Sequence, residues 1–303
     1  MSAAIATETE STAAKVFTDQ QVIDAVSRLT TIGTLPEVTV KIIQTVENPK
    51  SSAGQLNKIV SNDPALVTRI LKVVNSSFYG LPGQIASIER AIVLLGLNGV
   101  KNLAVAASLG QLFRGVKLCE PFTARDLWTH CLAVAVGSRE LAKHLSLPIA
   151  DEAFLAGMIH DIGLLAQIQL WPEKLREVCQ QMSQRDINVP GESFCDCEHR
   201  LIGCDHQQLG RALAARWRFP LGCQHAAGSH HHPTERDEQG VLVGLVYVAD
   251  TICCDIGQGF NLTGRGQKID DTELEWLHLS RSVLERVTKE LPQKVSDTAA
   301  VFS

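Results

Sequence analysis

An adjacent histidine and aspartate sit inside an otherwise apolar helical stretch, Gly157-Met158-Ile159-His160-Asp161-Ile162-Gly163-Leu164-Leu165. Neither side chain is tolerated in a dry core unless other polar groups or a cation reach it. The chain must therefore bring partners from elsewhere to His160 and Asp161. Aromatic residues make up only 5% of the 303 residues, so the core is built from Leu, Val, Ile and Ala. That palette favours packed helices over a β-sandwich. No segment shows sustained period-2 alternation, and an all-α fold is expected.

Read in order, residues 1–18 are expected to be a disordered leader rich in Ala, Thr, Ser and Glu. Asp19 caps a first helix to about Leu29, and a second helix carries Val38, Ile42, Ile43 and Val46. Ser52 opens a third, and Asp63-Pro64 is a cap followed by proline at the first helical position. Ser87 starts a short helix ended by Gly96, and another runs from Asn98 to Phe113. Pro121-Phe122-Thr123 marks a junction between two helical lobes, 19–118 and 119–260, with C-terminal helices and a tail over 261–303. In the second lobe Thr123 caps a long helix to about Leu145, and Asp151-Glu152 opens the helix containing His160-Asp161. Further helices are expected over 172–185, 197–203, 205–217, 220–231, 238–256, 271–279 and 281–290, with 260–270 a polar loop.

Several polar residues fall on apolar helix faces of this second lobe. His130 has Leu127 and Val134 one turn away on either side. Asp250 has Val246, Tyr247, Cys253 and Cys254 at the same spacings. His206 begins a helix after Asp205, and His230-His231-His232-Pro233 ends one. Singly, each reads as a hydrogen-bonded core residue or a solvated helix end. Together, several imidazoles and two carboxylates form a ligand set for Fe, Mn or Zn. Two such ions would activate water for attack on a phosphate. Glu198 is placed to support His206 from outside the ligand set.

A net charge of −5 leaves no basic footprint for nucleic acid or for a membrane surface. The uninterrupted apolar run Val241 to Ala249 is too short for a membrane span of roughly 20 residues. Nine irregularly spaced cysteines read as reduced thiols, and a soluble cytoplasmic protein is expected.

The order His130, His160-Asp161, His206, His231-His232, Asp250 resembles the HD phosphohydrolase superfamily. Within it, the first lobe resembles the HD-related output domain, HDOD. The residues concerned are Leu35-Pro36, Val60-Ser61-Asn62-Asp63-Pro64-Ala65-Leu66, Val74-Asn75-Ser76-Ser77-Phe78-Tyr79-Gly80, and Leu94-Leu95-Gly96. Gly203-Cys204-Asp205-His206, Gly210, Trp217 and Ala249-Asp250 extend the likeness through the second lobe, an HD-like helical bundle. HDOD proteins are regulatory modules of bacterial signalling, whereas the related HD-GYP branch hydrolyses cyclic di-GMP with bound metal. The HD-GYP ligands map onto His130, His160, Asp161, His206, His231, His232 and Asp250. Two departures stand out. Leu164 occupies the position of that branch's lysine, and Thr234-Glu235-Arg236-Asp237-Glu238 stands where Gly-Tyr-Pro is expected.

The resemblance implies a signalling module that binds a partner protein or a small nucleotide and holds one or two divalent ions without catalysis. The alternative is a metal-dependent phosphohydrolase acting on a nucleotide or cyclic dinucleotide. There His130, His160, Asp161 and Asp250 hold one ion, and His206, His231 and His232 the other. Asp161 bridges them as the catalytic residue. A third reading is a sensor whose metal reports redox state or oxygen.

Overall fold

The computed structural model describes residues 15–30, 35–48, 50–76, 78–113, 118–186, 191–233 and 238–302, and among these there is no strand. The first lobe comprises α2 (Glu37–Glu47), α3 (Ala53–Ser61), α4 (Pro64–Val74) and α5 (Ile88–Leu109). α3 starts where Ser52 and Gln55 exchange side-chain and backbone hydrogen bonds. Asp63 accepts from Leu66 N–H at the head of α4, and Pro64 fills the position that needs no donor. The apolar face of α4, Leu66, Ile70, Val73 and Val74, is buried. The expected break at Gly96 is a kink inside α5, where the glycine takes φ 75° and ψ 172°.

The second lobe is built on α6 (Ala124–His144), α7 (Ala150–Ile159), α8 (Ile162–Leu170), α9 (Pro172–Gln184), α10 (Phe194–Leu201), α11 (His206–Arg216), α12 (Leu221–Ser229) and α13 (Glu238–Asp255). α6 lies against α7 and α13, while α11 lies against α8 and α12. Two glycines set these approaches. A Cβ on Gly157 would stand 2.7 Å from Ala135 Cα on α6, and one on Gly163 would stand 1.8 Å from His206 O on α11. His160 and Asp161 lie between these two close contacts, at the centre of the bundle.

The lobes meet through the Asn-Ser-Ser-Phe-Tyr-Gly signature, of which Ser77 lies outside the described residues. The Asn75 amide donates to Leu71 O and Ile85 O and accepts from Ile85 N–H, which clasps the loop. Phe78 then packs on Phe154 of α7 at 5.1 Å between ring centroids. Arg139 of α6 lies over both Phe78 and Tyr79, donates to Phe78 O at 2.9 Å, and pairs with Asp151 at 3.3 Å. Tyr79 O–H donates to the same carboxylate at 3.2 Å. Burial and the Asp151 charge push its pKa well up, so it stays a neutral donor.

Four expectations need correction. α1 (Asp19–Ser27), assigned above to the first lobe, packs on α11 of the second. Its buried face is Val22, Ala25 and Val26, and Arg216 donates to Val26 O. Of the expected leader, residues 1–14 lie outside the described residues; Phe17 N–H donates to Gly203 O and its ring packs edge-on to Trp171. The last helix does not stop at 290. After α14 (Asp271–Trp276), α15 (Arg281–Phe302) continues past Pro292. Its face Val287, Leu291, Val295, Thr298 and Phe302 is buried, and it lies against both α6 and α4, bracing the two lobes. The expected helix through His160-Asp161 is likewise interrupted there.

Two helical stretches, Ile88–Leu109 and Ala150–Leu170, are long and apolar enough to cross a membrane by length and composition. Of their most apolar windows, 67% and 83% is buried against other helices, which accounts for the composition as core.

Candidate metal centre

The centre starts with the interruption between α7 and α8. Neighbours in a continuous helix point about 100° apart. At Asp161 the backbone leaves helical geometry, with φ −97° and ψ 15°, so that His160 and Asp161 face one point. Asp161 Oδ2 lies 3.4 Å from His160 Nε2 and 3.7 Å from His130 Nε2. Its other oxygen, Oδ1, lies 3.4 Å from both His206 Nε2 and His230 Nε2. One carboxylate thus faces two groups of imidazoles. Asp250 of α13 completes the first group, with Oδ1 at 3.1 Å from His130 Nε2. His231 adjoins the second, its Nε2 3.0 Å from His206 Nε2.

Four imidazoles are fixed from outside. His160 Nδ1–H donates to Gly157 O, His230 Nδ1–H to Ala226 O, and His130 Nδ1–H to Gln258 O. A carbonyl only accepts, so these rings carry their hydrogen on Nδ1 and turn an Nε2 lone pair inward. His206 Nδ1 donates to Glu198 at 2.7 Å, the contact its spacing suggests. His130 and His160 then face each other Nε2 to Nε2 at 3.3 Å, and His206 and His230 at 3.4 Å. Lone pairs at these distances repel unless something positive lies between them. Asp161 Oδ1 is also buried without a hydrogen-bond partner. Tautomers fixed from behind, converging nitrogens and an orphaned carboxylate oxygen together fit a divalent cation.

The proton affinities carry the same message. Burial opposes charging His206, yet Glu198 and Asp161 push its pKa up to about 9. Burial likewise opposes charge on His160, but Asp161 and Asp250 hold its pKa above the ordinary value. Burial holds His230 and His231 below it. Burial would raise Asp161, but His160, His230 and His206 hold its pKa well below the carboxylate range. Without an imported cation, the centre draws protons into a dry core to balance its carboxylates.

Six of the seven expected ligands therefore meet here: His130, His160, Asp161, His206, His231 and Asp250. His232 does not, and this is a correction: its side chain is exposed, and its place is taken by His230, which is fully buried. Past the end of α12, Gln207 accepts from His231 N–H and turns the first two histidines inward, leaving the third outside.

Residues missing from the sequence reading come from the segment 257–270, which straps over the centre. Thr263 O–H donates to Asp161 Oδ2 at 3.4 Å, and Gln267 Nε2 lies 3.2 Å from Asp250 Oδ2 and 3.0 Å from His231 Nδ1. Arg265 holds the strap by donating to Met182 O and Ser183 O at the end of α9. This loop has no hydrophobic periodicity; its polar composition at 260–270 was its only signal. All nine cysteines are buried free thiols. Cys254 donates to Asp250 Oδ1 at 3.4 Å, and Cys195 lies beside Glu198 and His206. Leu164 is fully buried, and Thr234 to Asp237 lie outside the described residues.

Comparison with known proteins places this geometry. An uncharacterized protein of Treponema pallidum (strain Nichols) is 25% identical over 225 residues, 74% of this chain. The chain spans only 42% of that relative's length. A solved HDOD domain protein of unknown function from Geobacter sulfurreducens is 22% identical, with TM-score 0.72 over 93% of this chain and 97% of that one. A candidate phosphohydrolase from Shewanella amazonensis SB2B gives 23%, TM-score 0.68, and 93% and 98% coverage. A candidate signal transduction protein from Marinobacter aquaeolei VT8 gives 24%, TM-score 0.72, and 94% and 65% coverage. These likenesses carry the fold. The family model for the HDOD domain matches residues 32–233, more than half of the chain, and the protein belongs to the HDOD family.

Proposed function

We propose that the protein is a bacterial signalling module in which a buried divalent-cation centre holds the second lobe together without turning over substrate. The observation that carries this reading is the burial of every donor. His130, His160, His206, His230 and Asp250 have no exposed surface, Asp161 has 1% and His231 has 8%. Thr263 and Gln267 close over these donors, and a hydrolytic site must admit its substrate, which favours the non-catalytic reading. Leu164 adds no cation where the HD-GYP pattern has one. The mixed imidazole and carboxylate donors suit Zn, Fe or Mn. Bound there, the ion would supply the positive charge that the facing nitrogens and Asp161 demand. His130, His160, Asp161 and Asp250 would hold one ion; His206, His230 and Asp161 would hold a second. The signalling role rests on the family and on the fold shared with the Marinobacter protein. The hollow of about 620 Å³ between the lobes, lined by Asn98, Lys101, Asn102 and Asp151 among others, is the face we assign to a signalling partner or small nucleotide.

The second reading is a phosphohydrolase, favoured by Asp161 facing two donor groups at once. Hydrolysis assays on cyclic di-GMP and nucleotides with added Mn²⁺ or Fe²⁺, alongside elemental analysis, separate the two. Bound metal without turnover is the expected result. Turnover abolished by Asp161→Ala would establish the enzyme.

A further inference from the structure

One histidine in the centre is held differently from the rest. His130, His160, His206 and His230 each present Nδ1 to an acceptor, whereas His231 Nδ1 faces the amide nitrogen of Gln267 at 3.0 Å. An amide nitrogen only donates. It bonds His231 Nδ1 only when that nitrogen holds its lone pair, so the ring's hydrogen is on Nε2. The neighbouring His206 Nε2 lies 3.0 Å from that nitrogen. So placed, His231 blocks its own inner nitrogen and offers no ligand atom there.

The other end of the same amide is out of place. Gln267 Oε1 is buried without any hydrogen-bond partner. Half a turn about the last side-chain torsion exchanges the two ends. Oε1 would then accept from His231 Nδ1–H, and the lone pair would move to the inner nitrogen. The exchange also turns Oε1 in place of an N–H toward Asp250 Oδ2, a repulsion that a cation held by Asp250 would offset, while Cys254 still donates to Oδ1.

The surroundings fit a side chain built for this position. A Cβ at residue 264 would stand 2.5 Å from Gln267 Nε2 and 2.7 Å from Asp250 Oδ2, so Gly264 is what lets the amide lie there. Gln267 N–H donates to Gly264 O, and Tyr247 O–H donates to Lys268 O, which pins the backbone on both sides. Gln267 also lines a hollow of about 990 Å³ with Arg265 and Lys268, so its carboxamide stands between that hollow and the centre.

We propose that Gln267 is a positioning residue that decides whether His231 joins the second ion's ligands. As placed, that ion is offered His206, His230 and Asp161; with the amide turned, His231 becomes the fourth donor. The inference rests on the metal reading above.

The test uses the full chain in wild-type and Gln267→Glu forms. A carboxylate accepts from Nδ1–H and fixes the ligand-competent ring. Nitrogen-resolved NMR of labelled histidines reads the tautomer in metal-free protein, with His231 assigned by its loss in His231→Asn. Zn²⁺ titration against a competing chelator reads the two affinities. Wild-type His231 is expected to carry its hydrogen on Nε2, and Gln267→Glu to move it to Nδ1 and tighten the weaker ion about tenfold or more. Wild-type protein that binds ions with His231 already in the Nδ1–H form would overturn the role of Gln267 alone. So would a weaker-ion affinity unchanged in the variant. No bound ion in either protein would overturn the metal reading and this inference with it.

Discussion

Two clusters of charge share the helix pair α6 and α7, and they reach balance by opposite means. At the junction of the lobes, Arg139 supplies a cation for Asp151, stacks on Phe78 and Tyr79, and fills Phe78 O. Every charge there has its counterpart in the chain. At the other cluster, His130 on α6 and His160-Asp161 after α7 join His206, His230, His231 and Asp250, and no Lys or Arg pairs with them among the described residues. The clamp is complete as folded, whereas the centre must import positive charge. This difference separates a structural ion pair from a metal site more sharply than the identity of any single ligand.

The contrast can be broken at either end. Asp161→Ala should have the largest effect, because it removes the oxygens facing both donor groups. All metal-dependent stabilisation should vanish, about 4 kcal/mol at a thousandfold excess of ion over its Kd. Thermal melting with and without added Zn²⁺ reads this as a shift present in wild type and absent in the variant. Arg139→Met should cost about 2 kcal/mol in urea unfolding, since it removes the charged hydrogen bonds to Asp151 and Phe78 O, while metal content stays at the wild-type level. Loss of metal in that variant would mean that the clamp and the centre are one unit. Tyr79→Phe removes one hydrogen bond to Asp151 and should cost about 1 kcal/mol by the same measurement. His232→Ala should change stability by less than about 0.5 kcal/mol and leave metal binding intact, as expected for an exposed side chain. A metal affinity lowered in His232→Ala would return that residue to the ligand set.

Helical periodicity made part of this site legible. His130 and Asp250 lie mid-helix among apolar neighbours, and an inward-facing residue there is fixed by its turn. His230 and His232 lie where a helix ends, so the facing direction depends on how the chain leaves α12. Gln207 decides that, from a different helix. The interruption at Asp161 was hidden because the apolar run continues unbroken through both α7 and α8. The strap residues Gln258, Thr263 and Gln267 belong to irregular chain, whose reach is set by tertiary bonds such as Arg265 to the end of α9. α15 extends past Pro292 because its buried face outweighs the one hydrogen bond that proline removes.

The central claim is that the imidazole and carboxylate cluster exists to hold a cation. Elemental analysis of the full chain purified without chelator, followed by thermal melting before and after metal removal, tests it directly. Stoichiometric divalent metal is expected in wild type, with a lower Tm once it is stripped and recovery on adding it back. A chain that carries no metal, and whose Tm is unmoved by Zn²⁺, Mn²⁺ or Fe²⁺, would contradict it.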